Sequence, residues 1–539
     1  MTTLLSNASA ETLQSDAAII AAATPRRNKA SASPRAESES EIGHTLASRF
    51  IVLVVCLAVV LSTLAYGTVH SWSLALFEIG AALVVILWAA DAWRTGVLRL
   101  SRNALQWPLI GLCVIGFAQL LPLGGARATD ALANASRSLS LDPYSTRMVL
   151  VQVLSLLIYF AATLAFTDSP RRLLLLVRTI TIFGFLLAIF GLVQSFVSPT
   201  KIYGLRELGG VSTPFGPFIN RHHFAGYMEM TLALPLGLLF SGATESDKRP
   251  LYIFAVVIMG VALILTNSRG GIISLFALIC FLVGVAGIGA RARRGEKDLN
   301  ETEGRRRRVR AAMIRAGVGL ALFLGLLGGV VFVGGESVLS RFVGTINADD
   351  PTNGRTHFWS AALEVIRHHP LTGTGLGAFG TAYTQFDSAN GAVLRLEQVH
   401  NDYLQVLTDA GVIGAVLGLF FIVMLFRMGF ARRESEDVFR SGVATGALAG
   451  CFAVLVHSFF DFTLHTTSNA LLFLVMAALA TLNGRVEQHS RRSSRSGGQH
   501  RRRRRRSSSS SSNNSVLPPQ SATTPAATLP ILPTAPEKL

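Results

Sequence analysis

The sequence predicts an all-α protein threaded repeatedly through a membrane. Three observations carry this. Half of its 539 residues are hydrophobic, and the mean hydropathy of +0.45 is too high for a soluble chain. Apolar runs near the length needed to cross about 30 Å of hydrocarbon recur along the chain. The basic residues that separate these runs fall consistently on one side of the membrane.

Taken in order, residues 1–48 are rich in Ala, Ser, Thr and Glu and are expected to form a disordered leader. Apolar runs follow at 50–68, 73–93, 104–123, 148–166, 173–196, 224–241, 250–266, 271–290, 312–334, 410–430, 441–460 and 468–483, about twelve spans in all. The first begins too far into the chain for an ordinary cleaved signal peptide and reads as a retained span. The pair across 250–290 is divided only by Asn267-Ser268-Arg269-Gly270-Gly271, too sharp a polar break for one helix. The expected organisation is a leader (1–48), an N-terminal set of spans (49–334), a large loop (335–409), a C-terminal set of spans (410–483) and a basic tail (484–539).

Charge fixes the orientation. The formal net charge is +17, and most of the excess lies in the tail and in the stretch Arg291–Arg310. Both flank apolar runs, where a topology signal places them and where they can meet anionic lipid headgroups. Nucleic acid is therefore not expected as a partner. With twelve spans, Arg94, Arg99, Arg171, Arg172, Lys248, Arg432 and Arg433 all share the side of both termini, which the positive-inside rule makes cytoplasmic. The tail, with Arg501–Arg506 followed by Ser507–Ser512, is low complexity and expected to be disordered. The four cysteines, Cys56, Cys113, Cys280 and Cys451, lie inside apolar runs and read as small core hydrophobes.

The polar residues with chemistry gather on the opposite side. Arg269 has little chain in which to reach water and sits beside glycines, an anion-site candidate. Arg355 stands ahead of a helical pattern with Phe358, Trp359, Ala362, Val365 and Ile366 on one face, read as an amphipathic helix lying against the membrane. Helix-terminal amides there can join the arginine in holding an anion. Gly373, Gly375, Gly377 and Gly380 follow no predicted strand, which excludes a dinucleotide fingerprint; a flexible loop or a backbone cradle for phosphate remain. His400 stands at a loop–helix junction where Asn401 or Asp402 can cap the next helix. Glu78 and Glu229 lie within spans near their outer ends, where carboxylates usually line a cavity. The histidines show no metal-ligand spacing, so neither metal nor cofactor is expected.

Several strings together resemble the O-antigen ligase/polymerase family of bacterial membrane glycan transferases. They are Pro217-Phe218-Ile219-Asn220-Arg221-His222-His223-Phe224-Ala225-Gly226, Ser268-Arg269-Gly270-Gly271, Gly354-Arg355 with Trp359, His369-Pro370-Leu371-Thr372-Gly373-Thr374-Gly375-Leu376-Gly377, His400-Asn401-Asp402-Tyr403-Leu404 with Gly411, and His457-Ser458-Phe459-Phe460-Asp461-Phe462. The resemblance spans about 205 to 480, and both terminal tails fall outside it. It implies a multi-pass enzyme of the bacterial inner membrane working at the periplasmic face in surface polysaccharide biosynthesis. The donor would be a glycan on undecaprenyl diphosphate, and the acceptor another glycan or lipid A core. Transfer would invert the anomeric centre without a metal. Arg269 and Arg355 look like the arginines that hold the diphosphate, and His400 like the histidine that engages the acceptor hydroxyl. Glu78 and Glu229 are rival bases, and Asn220, Arg221, His223, Asn401 and Asp461 are candidate substrate contacts. Ligase and polymerase are not separated by these motifs. The non-enzymatic alternative is a glycan-lipid flippase or other transporter.

Overall fold

The computed structural model describes residues 45–123, 138–208, 213–292, 355–387, 396–433 and 437–482, with a few isolated residues besides. The fold is all-α apart from one short hairpin, β1 (Lys201–Ile202) paired antiparallel with β2 (Arg206–Glu207). The bundle helices are α1 (Leu46–Leu64), α2 (Ser71–Thr95), α3 (Gln106–Leu120), α4 (Pro143–Phe166), α5 (Pro170–Val197), α6 (Arg221–Ser241), α7 (Arg249–Leu265), α8 (Arg269–Ala292), α9 (Arg355–His368), α10 (Asp402–Arg433), α11 (Val438–His457) and α12 (Thr467–Thr481). Among the described residues, seven helices are long and apolar enough to cross a membrane: α1, α2, α4, α5, α6, α10 and α11. The helices α3, α7, α8 and α12 are shorter apolar stretches at four further expected spans. The expected span 312–334, the leader and the basic tail lie outside the described residues.

Local chemistry sets the helix starts. Asp142 and Ser169 cap α4 and α5, each followed by a proline in the first turn, where proline costs no hydrogen bond. Asp437 caps α11 by accepting from Phe439 N and Arg440 N. The two innermost spans are α6 and α11, and they meet backbone to backbone. A Cβ on Gly237 would strike Gly446, and Gly442, Gly446 and Gly450 repeat every fourth residue along α11. Small residues at that spacing let membrane helices approach closely, which is where packing replaces the hydrophobic drive absent in lipid. The outer helices carry the opposite signature. Leu76, Ile79 and Ile86 of α2 and Val416, Leu419 and Val423 of α10 are exposed, an apolar belt that water would not tolerate at this extent and hydrocarbon does.

Two ends of the bundle differ. One gathers the starts of α6, α8, α10 and α12 with the end of α11, and we call it the site end. The other carries a buried ion network. There Arg99 contacts Asp91 at 3.2 Å and Asp168 at 3.1 Å, and Arg172 also meets Asp168 at 3.1 Å. Arg172 further donates to Ser48 Oγ, joining α5 to α1. Arg440 donates to the carbonyls of Leu479 and Leu482 and so closes the end of α12, a favourable place for a cation.

The loop before α10 is docked firmly. The apolar face of α9 buries Ala361 and Ala362 against Phe379, Tyr383 and Val399. This differs from the expectation of a helix lying on the membrane: protein, rather than lipid, covers that face. Its small alanines fit a close protein neighbour better than an acyl layer.

Candidate functional site

Asp461 is the centre of the site end. It follows α11, and its side chain is 1% exposed. Its Oδ1 faces Nδ1 of His400 at 3.2 Å and accepts from Phe462 N at 2.9 Å. Its Oδ2 takes Nη2 of Arg355 at 3.4 Å, and Nδ1 of His222 lies 3.9 Å away. Burial alone would raise this carboxyl. The hydrogen bond from His400 and the nearby imidazoles of His222 and His223 instead hold it well below the usual carboxylate range. Its lone pairs are spent on the groups it positions.

Each partner arrives at the start of a helix or just before one. Arg355 opens α9. His400 precedes α10 and adopts φ +57°, a left-handed conformation that a non-glycine residue holds only when its surroundings impose it. Those surroundings are identifiable. Val399 N donates to Gln405 Oε1 at 2.8 Å, and Gln405 Nε2 donates to Asp409 Oδ1 at 3.0 Å. The His400 ring packs edge-on to Phe462 at 4.7 Å and stacks on Phe358 at 5.9 Å. Asn401 accepts from Tyr403 N and Leu404 N and so caps α10, while its amide donates to Phe459 O.

The α7–α8 turn brings the second arginine. Asn267 has φ +53°, which reverses the chain within three residues. Ser268 accepts from Gly271 N at 3.2 Å and caps α8, leaving Arg269 exposed as its first residue. The glycines beside it serve packing: a Cβ on Gly270 would come within 2.7 Å of His457. Ser268 Oγ also lies 2.8 Å from His222 Nδ1. His222 thus stands between the residue before Arg269 and the carboxylate that holds Arg355.

The remaining sequence-predicted residues divide. Asn220 caps α6 by accepting from His222 N at 2.9 Å, and Arg221 is the first residue of that helix. His223 is buried. Its Nδ1 pairs with Thr466 Oγ1 at 2.8 Å, its carbonyl accepts from Asn469, and its ring supports Phe462 at 4.8 Å. Glu229 is fully buried beneath the site and faces His457 Nδ1 at 2.8 Å. Glu78 sits half-buried on α2, its Oε1 buried with no hydrogen-bond partner among the described residues, and no bond or ion pair there joins it to Asp461. His222, Ser268 and His457 carry more of the local geometry than the sequence assigned them. The signals available for His222 were its adjacency to His223 and its place in the Pro217–Gly226 string.

The glycine-rich stretch is neither a loose loop nor a phosphate cradle. Its amides are already used. Thr374 N donates to Thr408 O, Gly375 N to Asp409 O, Leu376 N to Gln119 Oε1 and Gly377 N to Asp409 Oδ2. Gln119 Nε2 closes the set on Thr372 O and Asp409 O. The partner segment of this dock lies at a break in α10 at Gly411, φ +63° and ψ −162°. Gly373, at φ +68°, packs where a Cβ would strike the Asp409 backbone.

A second histidine–carboxylate pair backs the first. Asp402 accepts from Ser458 Oγ at 2.7 Å, Leu464 N at 3.2 Å and His465 Nδ1 at 2.7 Å. Segments 400–402 and 461–465 thus exchange partners, His400 with Asp461 and His465 with Asp402. Burial would lower the His465 imidazole, but the hydrogen bond and charge of Asp402 raise it above its ordinary value.

The fold and this site define a multi-pass, all-α membrane protein with arginines and histidines convergent at one end. Residues 254–419 match the O-antigen ligase family model. The matched stretch contains Arg269, Arg355 and His400 and stops short of Asp461. No curated protein matches the chain. That match is consistent with a membrane protein of the O-antigen ligase type.

Proposed function

We propose that this protein transfers a glycan from undecaprenyl diphosphate to an acceptor sugar hydroxyl at the periplasmic face of the bacterial inner membrane. The observation that carries the reading is Asp461, which holds Arg355 and His400 on its two oxygens. Arg355 and Arg269 would hold the donor diphosphate, since planar guanidinium forks match phosphate oxygens and stabilise charge that develops as the bond to carbon breaks. His400, oriented through Nδ1 by Asp461, presents its other nitrogen to the acceptor hydroxyl and takes its proton. The hydroxyl attacks the anomeric carbon opposite the departing diphosphate, so the centre inverts, and charge stabilisation by the arginines makes a metal unnecessary. The loop from 335 to 409 would then be the periplasmic catalytic loop, with both termini cytoplasmic.

Two experiments test this. Purified variants with matched membrane insertion are assayed for transfer from a lipid-diphosphate glycan; wild-type turnover in Arg269→Ala, Arg355→Ala and His400→Ala together would remove the reading. Reporter fusions at Gly375 and after Asn483 should report periplasm and cytoplasm, and the same compartment at both would refute the topology. The lipid-linked glycans that accumulate in a deletion strain separate the acceptors: long chains mean a ligase, single repeat units a polymerase.

A further inference from the structure

Beneath Asp461 a second set of titratable groups runs into the bundle, and the reaction as proposed does not use it. Glu229 lies about two turns down α6 from His222. It and His457, the last residue of α11, are both wholly buried, with Oε1 2.8 Å from Nδ1. The other carboxyl oxygen, Oε2, is buried without a hydrogen-bond partner among the described residues. On the far side of the ring, His457 Nε2 faces Ser268 Oγ at 3.5 Å, the longest link. Ser268 Oγ meets His222 Nδ1 at 2.8 Å, and the His222 side chain is 23% exposed. The chain of groups therefore begins in the buried interior and ends between the two arginine positions.

Donor and acceptor capacity gives the chain a direction. A lone carboxylate out of water, with one oxygen unpartnered, carries a large desolvation cost. One proton held between Glu229 and His457 makes the pair neutral overall, whichever of the two atoms it sits on. His457 Nε2 then carries a hydrogen and donates to Ser268 Oγ. That oxygen also accepts from Gly271 N, so its two acceptor positions are filled and its own hydrogen goes to His222 Nδ1. The last hydrogen sits on His222 Nε2.

We propose that Glu229, His457, Ser268 and His222 form a proton relay that delivers one proton to the departing diphosphate. The inference rests on the transfer reading above. As the bond from the anomeric carbon to the phosphate oxygen breaks, its electron pair stays on that oxygen, which takes the Nε2 proton of His222. Ser268 supplies Nδ1 of His222, His457 Nε2 supplies Ser268, and the pair is left as Glu229 carboxylate with neutral His457. The proton of the acceptor hydroxyl goes separately to His400. Between turnovers His400 returns its proton to water, and the relay is reloaded through His222. The charged and titratable groups facing the relay are Arg221 and His223 on α6, Arg355 on α9, Asp402 on α10, and Asp461 after α11.

Glu229→Gln tests the proposal, because an amide can occupy either hydrogen-bonding role towards His457 but has no proton to give. Ser268→Ala cuts the chain in the middle and serves if the first variant is unstable. Steady-state transfer is measured on the purified full-length protein across pH. Wild type should lose kcat on the alkaline side as the pair's proton is lost. Both variants should lower kcat by about 10², lack that alkaline fall, and keep the KM for the lipid-diphosphate donor. Wild-type kcat in a folded variant, or a lowered kcat with the alkaline fall intact, would overturn the relay and leave the pair a packing element. If Arg355→Ala and His400→Ala are impaired while these variants are not, the relay alone fails. If all four turn over as wild type, the transfer reading fails as well.

Discussion

The two ends of the bundle use the same residue types to opposite effect. At the end away from the site, Asp91 and Asp168 face Arg99 and Arg172, and the side chains of both arginines are less than 10% exposed. Each charge there meets an opposite charge inside the fold, which is how a buried network avoids its desolvation cost. At the site end one carboxylate, Asp461, faces a guanidinium and two imidazoles, with Arg221 and Arg269 at helix starts nearby. Arg355, His400 and His222 keep about a quarter of their side chains exposed. On the proposed function, the contrast separates charge that holds helices together from charge held ready for an anion, a distinction that composition alone cannot make.

The largest effect should come from Asp461→Asn. It keeps the shape but leaves Arg355 and His400 without their anion, and turnover should fall by up to about 10⁴, as when a base loses its orienting carboxylate. His400→Ala follows at about 10²–10⁴. Arg269→Ala and Arg355→Ala should each cost about 10²–10³ in turnover, with little recovery in Arg→Lys because an ammonium lacks the planar fork. A transfer assay on matched preparations ranks them, and equal activity in Asp461→Asn and wild type would erase the contrast from the site side.

At the other end the readout changes from rate to stability. Arg99→Ala should destabilise the protein by about 3–5 kcal/mol, since it leaves the buried Asp91 carboxylate without its arginine, and Arg172→Ala by less, because the partly exposed Asp168 keeps Arg99. Thermal unfolding in detergent should show the loss while turnover of the remaining folded protein stays near wild type. A turnover loss without a stability loss would mean that the network is coupled to the site. Gly373→Ala adds about 1–3 kcal/mol of strain at positive φ to a clash with the Asp409 backbone, and should undock the loop without removing a charge from either end.

Acidity separates the two histidine–carboxylate pairs. The folded Asp461 carboxyl is depressed, so its stabilisation is complete above its unfolded value of about 3.9 and is lost only as pH falls through the folded value. His465 is raised, so its stabilisation is complete below about 6.5 and fades as pH rises through its folded value. The stability gap between wild type and His465→Gln should therefore narrow on the alkaline side, and a gap that widens there would reverse the assignment. The smallest effect is expected from truncation after Gly484: the tail is low complexity and predicted to lie across the membrane from the site, so turnover should hold even if protein level drops.

The sequence by itself determined where apolar helices lie, because a span must be long and hydrophobic and that pattern is local. It also determined which polar residues stand at helix starts, since Asn401 and the Ser268–Gly271 turn are short-range capping chemistry. Arg355, His400 and Asp461 were each visible as unusual residues in their own strings. Their meeting was not visible, because it joins segments separated by 61 and 106 residues and depends on how α9, α10 and α11 pack. The same holds for His222 and His223. The sequence makes them equal neighbours, and the helix turns one to Ser268 and the other to Thr466, since successive residues on a helix point about 100° apart. The glycine-rich stretch looked mobile because glycines permit many conformations; its fixed form came from the break at Gly411 and the amide of Gln119, contacts no local window contains. Only the tertiary structure placed Glu229 beneath His222 in a buried interior, since burial is a property of all the helices around a residue at once.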